Sequence, residues 1–275
     1  MMSFFDRLER RIERVDSILC VGLDPVPERL PHSVADAELP RWAFNRRVID
    51  ATHEHVAAFK PNIAFYEDVN GWRALGETIA YAAGKDVPVL IDAKRGDIGH
   101  TARQYTKLLD GDPWDLQEAT PDAITVNPFL GEDAIRPFLD REEKGIFVLC
   151  RTSNPGGADL QNRELASGKL VYEHLADRAS DWNTNENVGL VVGATAPEEL
   201  ETIRGRVPEL PFLVPGVGAQ GGDMEAAAKY GPAAGVGLIN ATRSVIFAGE
   251  GTDAPFAATG EAAKRLKRGL NRFRD

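Results

Sequence analysis

The stretch Val87-Pro88-Val89-Leu90-Ile91-Asp92-Ala93-Lys94-Arg95-Gly96-Asp97-Ile98-Gly99-His100-Thr101 decides how the rest of the chain is read. Its opening run, Val87 to Ile91, is apolar and rich in β-branched side chains, with Lys85-Asp86 before it and a polar turn after it. Such a run predicts a strand buried on both faces, as in a parallel sheet. Two carboxylates and two cations then fall between Asp92 and Asp97. Asp92 and Lys94 are two residues apart, so on a continuing strand they point to the same side. Gly96 is expected to end the strand and leave Asp97 in the loop beyond it. Polar groups following a strand buried on both faces are costly without partners. The cluster therefore reads as a functional site rather than as a solvated turn.

Working outward, seven further apolar runs have the same form: Ile18–Leu23, Val56–Phe59, Ala123–Val126, Gly145–Leu149, Val188–Val192, Phe212–Val214 and Gly235–Ile239. Each ends in polar or glycine-rich residues, such as Asp24-Pro25, Lys60-Pro61-Asn62 and Thr242-Arg243. Helix-length segments separate them. Ser3 can cap a first helix with Asp6 as acidic partner, and Phe4, Leu8, Ile12 and Val15 give that helix one apolar face. Further helices are expected over Trp42–His55, Phe65–Ala83, Thr101–Leu109 and Ala257–Arg274. Eight strands with helical crossovers predict an α/β fold with a parallel sheet, closed into a (β/α)₈ TIM barrel whose site lies where the strands end. A single barrel domain over residues 1–275 fits the usual length of about 250 residues. A doubly wound open sheet is the other arrangement, but its dinucleotide form needs a glycine fingerprint where this chain has Gly22-Leu23-Asp24-Pro25.

The 275 residues are 43% hydrophobic and 27% charged, with a net charge of -10. That balance argues against non-specific nucleic-acid binding and against an anionic membrane surface. Cys20 lies within one apolar run and Cys150 directly follows another, and both read as buried free thiols in a reducing compartment. No run approaches membrane-spanning length, and Met1–Asp6 has no long apolar segment. A cytoplasmic protein is expected. His53 and His55 are two apart and do not share a helix face, so no metal pair is expected there. The segment Asn154–Gly168, after the fifth strand, reads as a long structureless loop, either a lid or a plain surface insertion. Ser180–Asn187 reads as a polar linker.

Strands seven and eight lead into Gly216, Gly218, Gln220, Gly221, Gly222 and Arg243. Loops after those strands commonly hold a phosphate in this architecture. Glycines let backbone N–H groups approach an anion, and an arginine can grip it bidentately. Asp24, Lys60, Asp92 and Lys94 gather at the same mouth, where alternating acids and bases keep one another charged.

The run Asp92-Ala93-Lys94-Arg95-Gly96-Asp97-Ile98 resembles the DxKxxD signature of the orotidine 5′-phosphate decarboxylase family, in its longer bacterial and archaeal branch. Gly22-Leu23-Asp24-Pro25, Phe59-Lys60-Pro61-Asn62, Pro215-Gly216-Val217-Gly218-Ala219-Gln220-Gly221-Gly222 and Arg243 extend the resemblance along the chain. It implies decarboxylation of orotidine 5′-monophosphate to UMP, without metal or organic cofactor. It makes Lys94 the proton donor, places Asp92 against the departing carboxylate, and has Lys60 hold Asp92. It brings Asp97 and Thr101 from the neighbouring subunit of a homodimer. Asp24, Ile98, Thr101, Ser153, Pro215, Gln220 and Arg243 would then bind substrate. Related sugar-phosphate enzymes share DxKxxD but carry an acidic metal ligand where this chain has Lys60, and a lysine there repels a divalent cation. The remaining alternative, a non-catalytic phosphate-binding barrel, would be expected to lack Lys94 or its partners.

Overall fold

Eight short strands, the longest of seven residues, form one parallel sheet: β1 Leu19–Gly22, β2 Ala58–Lys60, β3 Leu90–Arg95, β4 Ala123–Val126, β5 Gly145–Arg151, β6 Val188–Val192, β7 Phe212–Pro215 and β8 Leu238–Ala241. The computed structural model describes residues 2–111, 120–195, 197–217 and 222–274. The hydrogen-bonded order is β2-β1-β8-β7-β6-β5-β4-β3. Parallel bridges Phe59–Val89 and Asn62–Asp92 join the two ends. The order is therefore cyclic, and the expected (β/α)₈ barrel is the fold.

Helices alternate with the strands. α1 (Phe4–Val15) precedes β1; α2 (Pro40–Thr52), α3 (Val69–Gly84), α4 (Gly99–Tyr105), α5 (Glu132–Leu139), α6 (Val171–Trp182), α7 (Pro197–Arg206), α8 (Met224–Tyr230) and α9 (Pro255–Leu270) follow strands one to eight. Every residue of β1, β2, β4 and β6 is buried. One face meets the barrel interior and the other meets helices, so these strands read as continuous apolar runs rather than alternating ones. No helix among the described residues is long and apolar enough to cross a membrane.

α1 closes the bottom of the barrel. Ser3 Oγ accepts from the Asp6 N–H, and Asp6 Oδ2 accepts from the Ser3 N–H, both at 3.2 Å. The helix so started places Phe4 edge-on to Phe147, 6.0 Å between ring centres. Gly145 makes room for it, since a Cβ there would lie 2.2 Å from Phe4 Cδ1.

Local departures have physical causes. β3 begins at Leu90 rather than Val87; the Pro88 carbonyl still accepts from Phe59 N–H at 2.9 Å, but a proline has no N–H to return. α2 stops at Thr52, and His53–His55 tighten into a 3-10 turn. Asn154–Gly168 is not structureless: it holds a 3-10 turn at Pro155–Asp159 and a Glu164–Leu170 bridge. Ser180–Trp182 is the last turn of α6 rather than linker. The asparagines beyond it satisfy backbone: Asn183 Oδ1 accepts from Val188 N–H at 2.8 Å, and Asn187 Nδ2 donates to Leu139 O at 3.0 Å.

Candidate active site

Lys60 ends β2 and is 4% exposed. Its Nζ donates to Asp92 Oδ2 at 2.9 Å. Lys94 Nζ donates to Asp92 Oδ1 at 2.6 Å, and Thr125 Oγ1 on β4 donates to the same oxygen at 2.8 Å. Burial alone would raise the Asp92 carboxyl, but the two ammonium groups overcome it and hold Asp92 well below the usual carboxylate range. Burial alone would lower Lys60, but Asp92 and Asp24 overcome it and hold the ammonium above its ordinary value. Asp24 goes the other way: desolvation outweighs both Lys60 and the Asn62 N–H at 3.1 Å, and its carboxyl is raised.

Asp92 and Lys94 do meet, though not by simple strand alternation. Lys94 has φ of +50°, the left-handed region that non-glycine residues avoid. The β3–β4 register shifts between Ile91 and Arg95, and the Lys94 N–H donates to Thr125 Oγ1 at 2.9 Å. The twist sends the Lys94 side chain outward, 48% exposed, while that of Asp92 stays at 12%. Such a conformation persists only where the surrounding structure holds it.

A cavity of about 340 Å³ opens beside this cluster, where the strands end. Asp24, Lys60, Asp92, Ser153, Pro215 and Arg243 line it, together with Asn62, Phe65, Asn240 and Thr242. Gly22 lets the first and last strands close around it, because a Cβ there would lie 1.9 Å from Thr242 Oγ1. The turn carrying Ser153 is held from below. Gln161 Oε1 accepts from Thr152 N–H at 2.9 Å, Thr195 Oγ1 donates to Ser153 O at 3.2 Å, and Arg151 pairs with Glu199 at 2.6 Å.

Asp97, Ile98 and Thr101 are not brought to this cavity. At Gly96 the chain packs against the end of β4, where a Cβ would meet Asn127 O at 2.3 Å. Asp97 Oδ1 accepts from the N–H of Ile98 at 2.8 Å. Ile98 is 60% exposed, and Phe129 and Leu130, on the adjoining loop after β4, are 74% and 51% exposed. Gln220 lies outside the described residues.

Asn62, Thr125, Asn240 and Thr242 carry polar groups at or beside the site that sequence reasoning gave no role. Asn62 stands within a quoted motif, and Thr242 beside Arg243. A threonine inside a buried strand reads first as a strand former; its signal is the same as that of Asp92, a polar group where both faces are covered.

The family model described as orotidine 5′-phosphate decarboxylase / HUMPS family matches residues 17–254. A protein of Halorubrum lacusprofundi named orotidine 5′-phosphate decarboxylase is 64% identical, covering 99% of this chain and 100% of that protein. One of Halobacterium salinarum with the same name is 65% identical, with the same coverage. The solved structure of Leishmania donovani OMP decarboxylase superposes with a TM-score of 0.82 at 40% identity, covering 99% of this chain and 98% of that one.

Proposed function

The chain belongs to the orotidine 5′-phosphate decarboxylase family, and on that premise we propose how its own residues carry the reaction. It converts orotidine 5′-monophosphate to UMP and CO₂, a step of pyrimidine biosynthesis. The bond from the ring carbon to the carboxylate breaks, and its electron pair stays on the ring. Lys94 Nζ stabilises that developing charge and delivers a proton to it. Asp92 lies against the departing carboxylate and is kept ionised by Lys60 and Lys94. Arg243 and Gln220 take the phosphate, Asp24 the ribose, and Ser153 and Pro215 the pyrimidine. Binding energy gathered at the phosphate aligns the reacting end.

The observation that carries this reading is the Lys94 ammonium, 2.6 Å from Asp92 and half exposed. An ammonium has three N–H donors, of which Asp92 takes one. Lys60 on the other carboxylate oxygen disfavours the metal-assisted sugar-phosphate chemistry of related barrels, since a cation would have to displace it.

The active unit in this reading is a cytoplasmic homodimer of single-barrel chains. Asp97, Ile98 and Thr101 leave their own cavity, and a two-fold partner returns the same loop to the other mouth. The exposed Ile98, Phe129 and Leu130 supply apolar surface for that contact.

The test is the ultraviolet absorbance change of orotidine 5′-monophosphate with excess chelator present. Undiminished turnover is expected. Turnover lost with chelator and restored by a divalent cation, or no turnover at all, would overturn the reading.

A further inference from the structure

We propose that Thr125 is a positioning residue for the decarboxylation, its hydroxyl joining the Asp92 carboxylate to the backbone of Lys94 and so fixing where the lysine ammonium stands. The proposal rests on the reading of Lys94 as proton donor.

Ala123-Ile124-Thr125-Val126 is buried throughout, and Thr125 is 1% exposed. A hydroxyl offers one donor and two acceptor lone pairs. Here the donor goes to Asp92 Oδ1 at 2.8 Å, and a lone pair takes the Lys94 N–H at 2.9 Å. Asp92 Oδ1 also accepts from Lys94 Nζ at 2.6 Å. These three bonds close a ring that leaves Lys94 at its backbone nitrogen and returns to it at Nζ. Both ends of one lysine are therefore referred to one hydroxyl on the neighbouring strand.

The backbone shows why the hydroxyl is needed. The β3–β4 pairing slips between Ile91 and Arg95, and Lys94 sits at φ of +50°. Its N–H turns to a side chain on β4, Thr125 Oγ1, rather than to a strand carbonyl. Other buried threonines do ordinary work: Thr52 and Thr78 each donate to the carbonyl four residues back in their own helix, at 2.7 Å. Thr125 instead links two groups of the charged cluster across strands.

Thr125→Val keeps the shape and removes the hydroxyl. Misplacing a reacting group by about 1 Å can cost about a hundredfold in rate, so kcat should fall about 10- to 100-fold. KM and the Kd for UMP should stay within about threefold, because Thr125 does not line the cavity. Thr125→Ser should bring kcat back to within about threefold of wild type. Amide hydrogen exchange at Lys94 should quicken in Thr125→Val and not in Thr125→Ser. Should Thr125→Val not fold, as judged by near-ultraviolet circular dichroism, Thr125→Ala takes its place. Wild-type kcat in the hydroxyl-free variant, or failure of the serine to restore it, overturns the proposal. Lys94→Ala assayed alongside separates the two ideas. If it is inactive while Thr125→Val is normal, only the role of Thr125 falls; if Lys94→Ala is itself active, the proton-donor reading falls with it.

Discussion

The two ends of the barrel are both rich in charge, and they use it differently. The bottom holds the larger cavity, about 760 Å³ against about 340 Å³ at the top, and Arg7, Arg10, Arg11, Arg14, Asp86, Asp122 and Lys144 line it. Its buried cations are engaged with backbone. Arg11 donates to Val56 O at 3.2 Å and Asp86 O at 3.4 Å, and also to His53 O. Lys144 donates to Thr120 Oγ1 at 2.7 Å and Pro121 O at 2.9 Å. Asp122 receives Arg7 at 2.7 Å and the Val89 N–H at 2.9 Å. These groups tie the segments entering the strands to one another. At the top, Lys60 and Lys94 converge on a single carboxylate, and one of the two ammoniums is left half exposed. Cavity size alone would select the wrong end. The distinguishing feature is a charge held in place with donor capacity left over, on the rim where strand ends converge.

The largest effect should come from breaking the top. Lys94→Ala should lower kcat by about 10³-fold or more, since in the proposed reaction it removes both the proton donor and the charge facing the carbanion. The fold should persist, because the side chain ends outside the core. Near-normal turnover would sink the assignment. Asp97→Ala should be nearly inactive as well, although Asp97 is not among the residues lining its own cavity. Mixing the two inactive variants under subunit exchange should restore up to about a quarter of wild-type activity, as half the dimers then carry one intact site. If exchange is verified and nothing returns, each site is built within one chain.

A smaller effect should follow at the phosphate end. Arg243 lines the top cavity and begins a short helix, Arg243–Ile246. A charge-assisted contact is worth about 1.5–3 kcal/mol, so Arg243→Ala should raise KM for the nucleotide about 10- to 100-fold. The phosphate-free nucleoside should hardly notice. Equal losses for both ligands would remove Arg243 from the phosphate.

Much of the top was legible because charge at the end of a buried strand is hard to explain otherwise. Lys60, Asp92 and Lys94 stood out on that ground, and the eight strand runs with their spacing led to the barrel. Strand alternation explains only part of the Asp92–Lys94 encounter. It predicts the meeting, whereas the molecule achieves it with a left-handed residue and a register slip, neither of which a sequence of side chains displays. Thr125 was hidden because threonine suits any strand. Gln161 was hidden because its partner, the Thr152 N–H, lies nine residues away across a loop. Asp97 and Thr101 read as turning away past Gly96, and neither lines the cavity of its own chain; which mouth they serve is what the mixing experiment decides.

The bottom was hardest to read, because α1 spaces its arginines like any solvated helix face, and it yields the smallest expected effect on turnover. Arg11 is 6% exposed. Burial, with help from nearby Arg14, lowers its guanidinium to about 10, and Asp86 offsets only part of that. The sign of the pH effect follows. Between that value and the unfolded value the unfolded chain binds the extra proton, so this group makes stability rise with pH there. Between about pH 6 and 8 the guanidinium is charged in both states, and its contribution has no slope. Arg11→Met keeps the aliphatic stem and strips the donors from three carbonyls. It should cost about 1–3 kcal/mol of unfolding free energy, seen as a fall of a few degrees in Tm that is the same at pH 6 and pH 8. Because Arg11 sits at the opposite end of the barrel from Lys94, kcat and KM below the transition should stay within about twofold of wild type. A variant that kept its Tm and lost its turnover would show that the two ends are not separate in function, and the contrast drawn between them would fail.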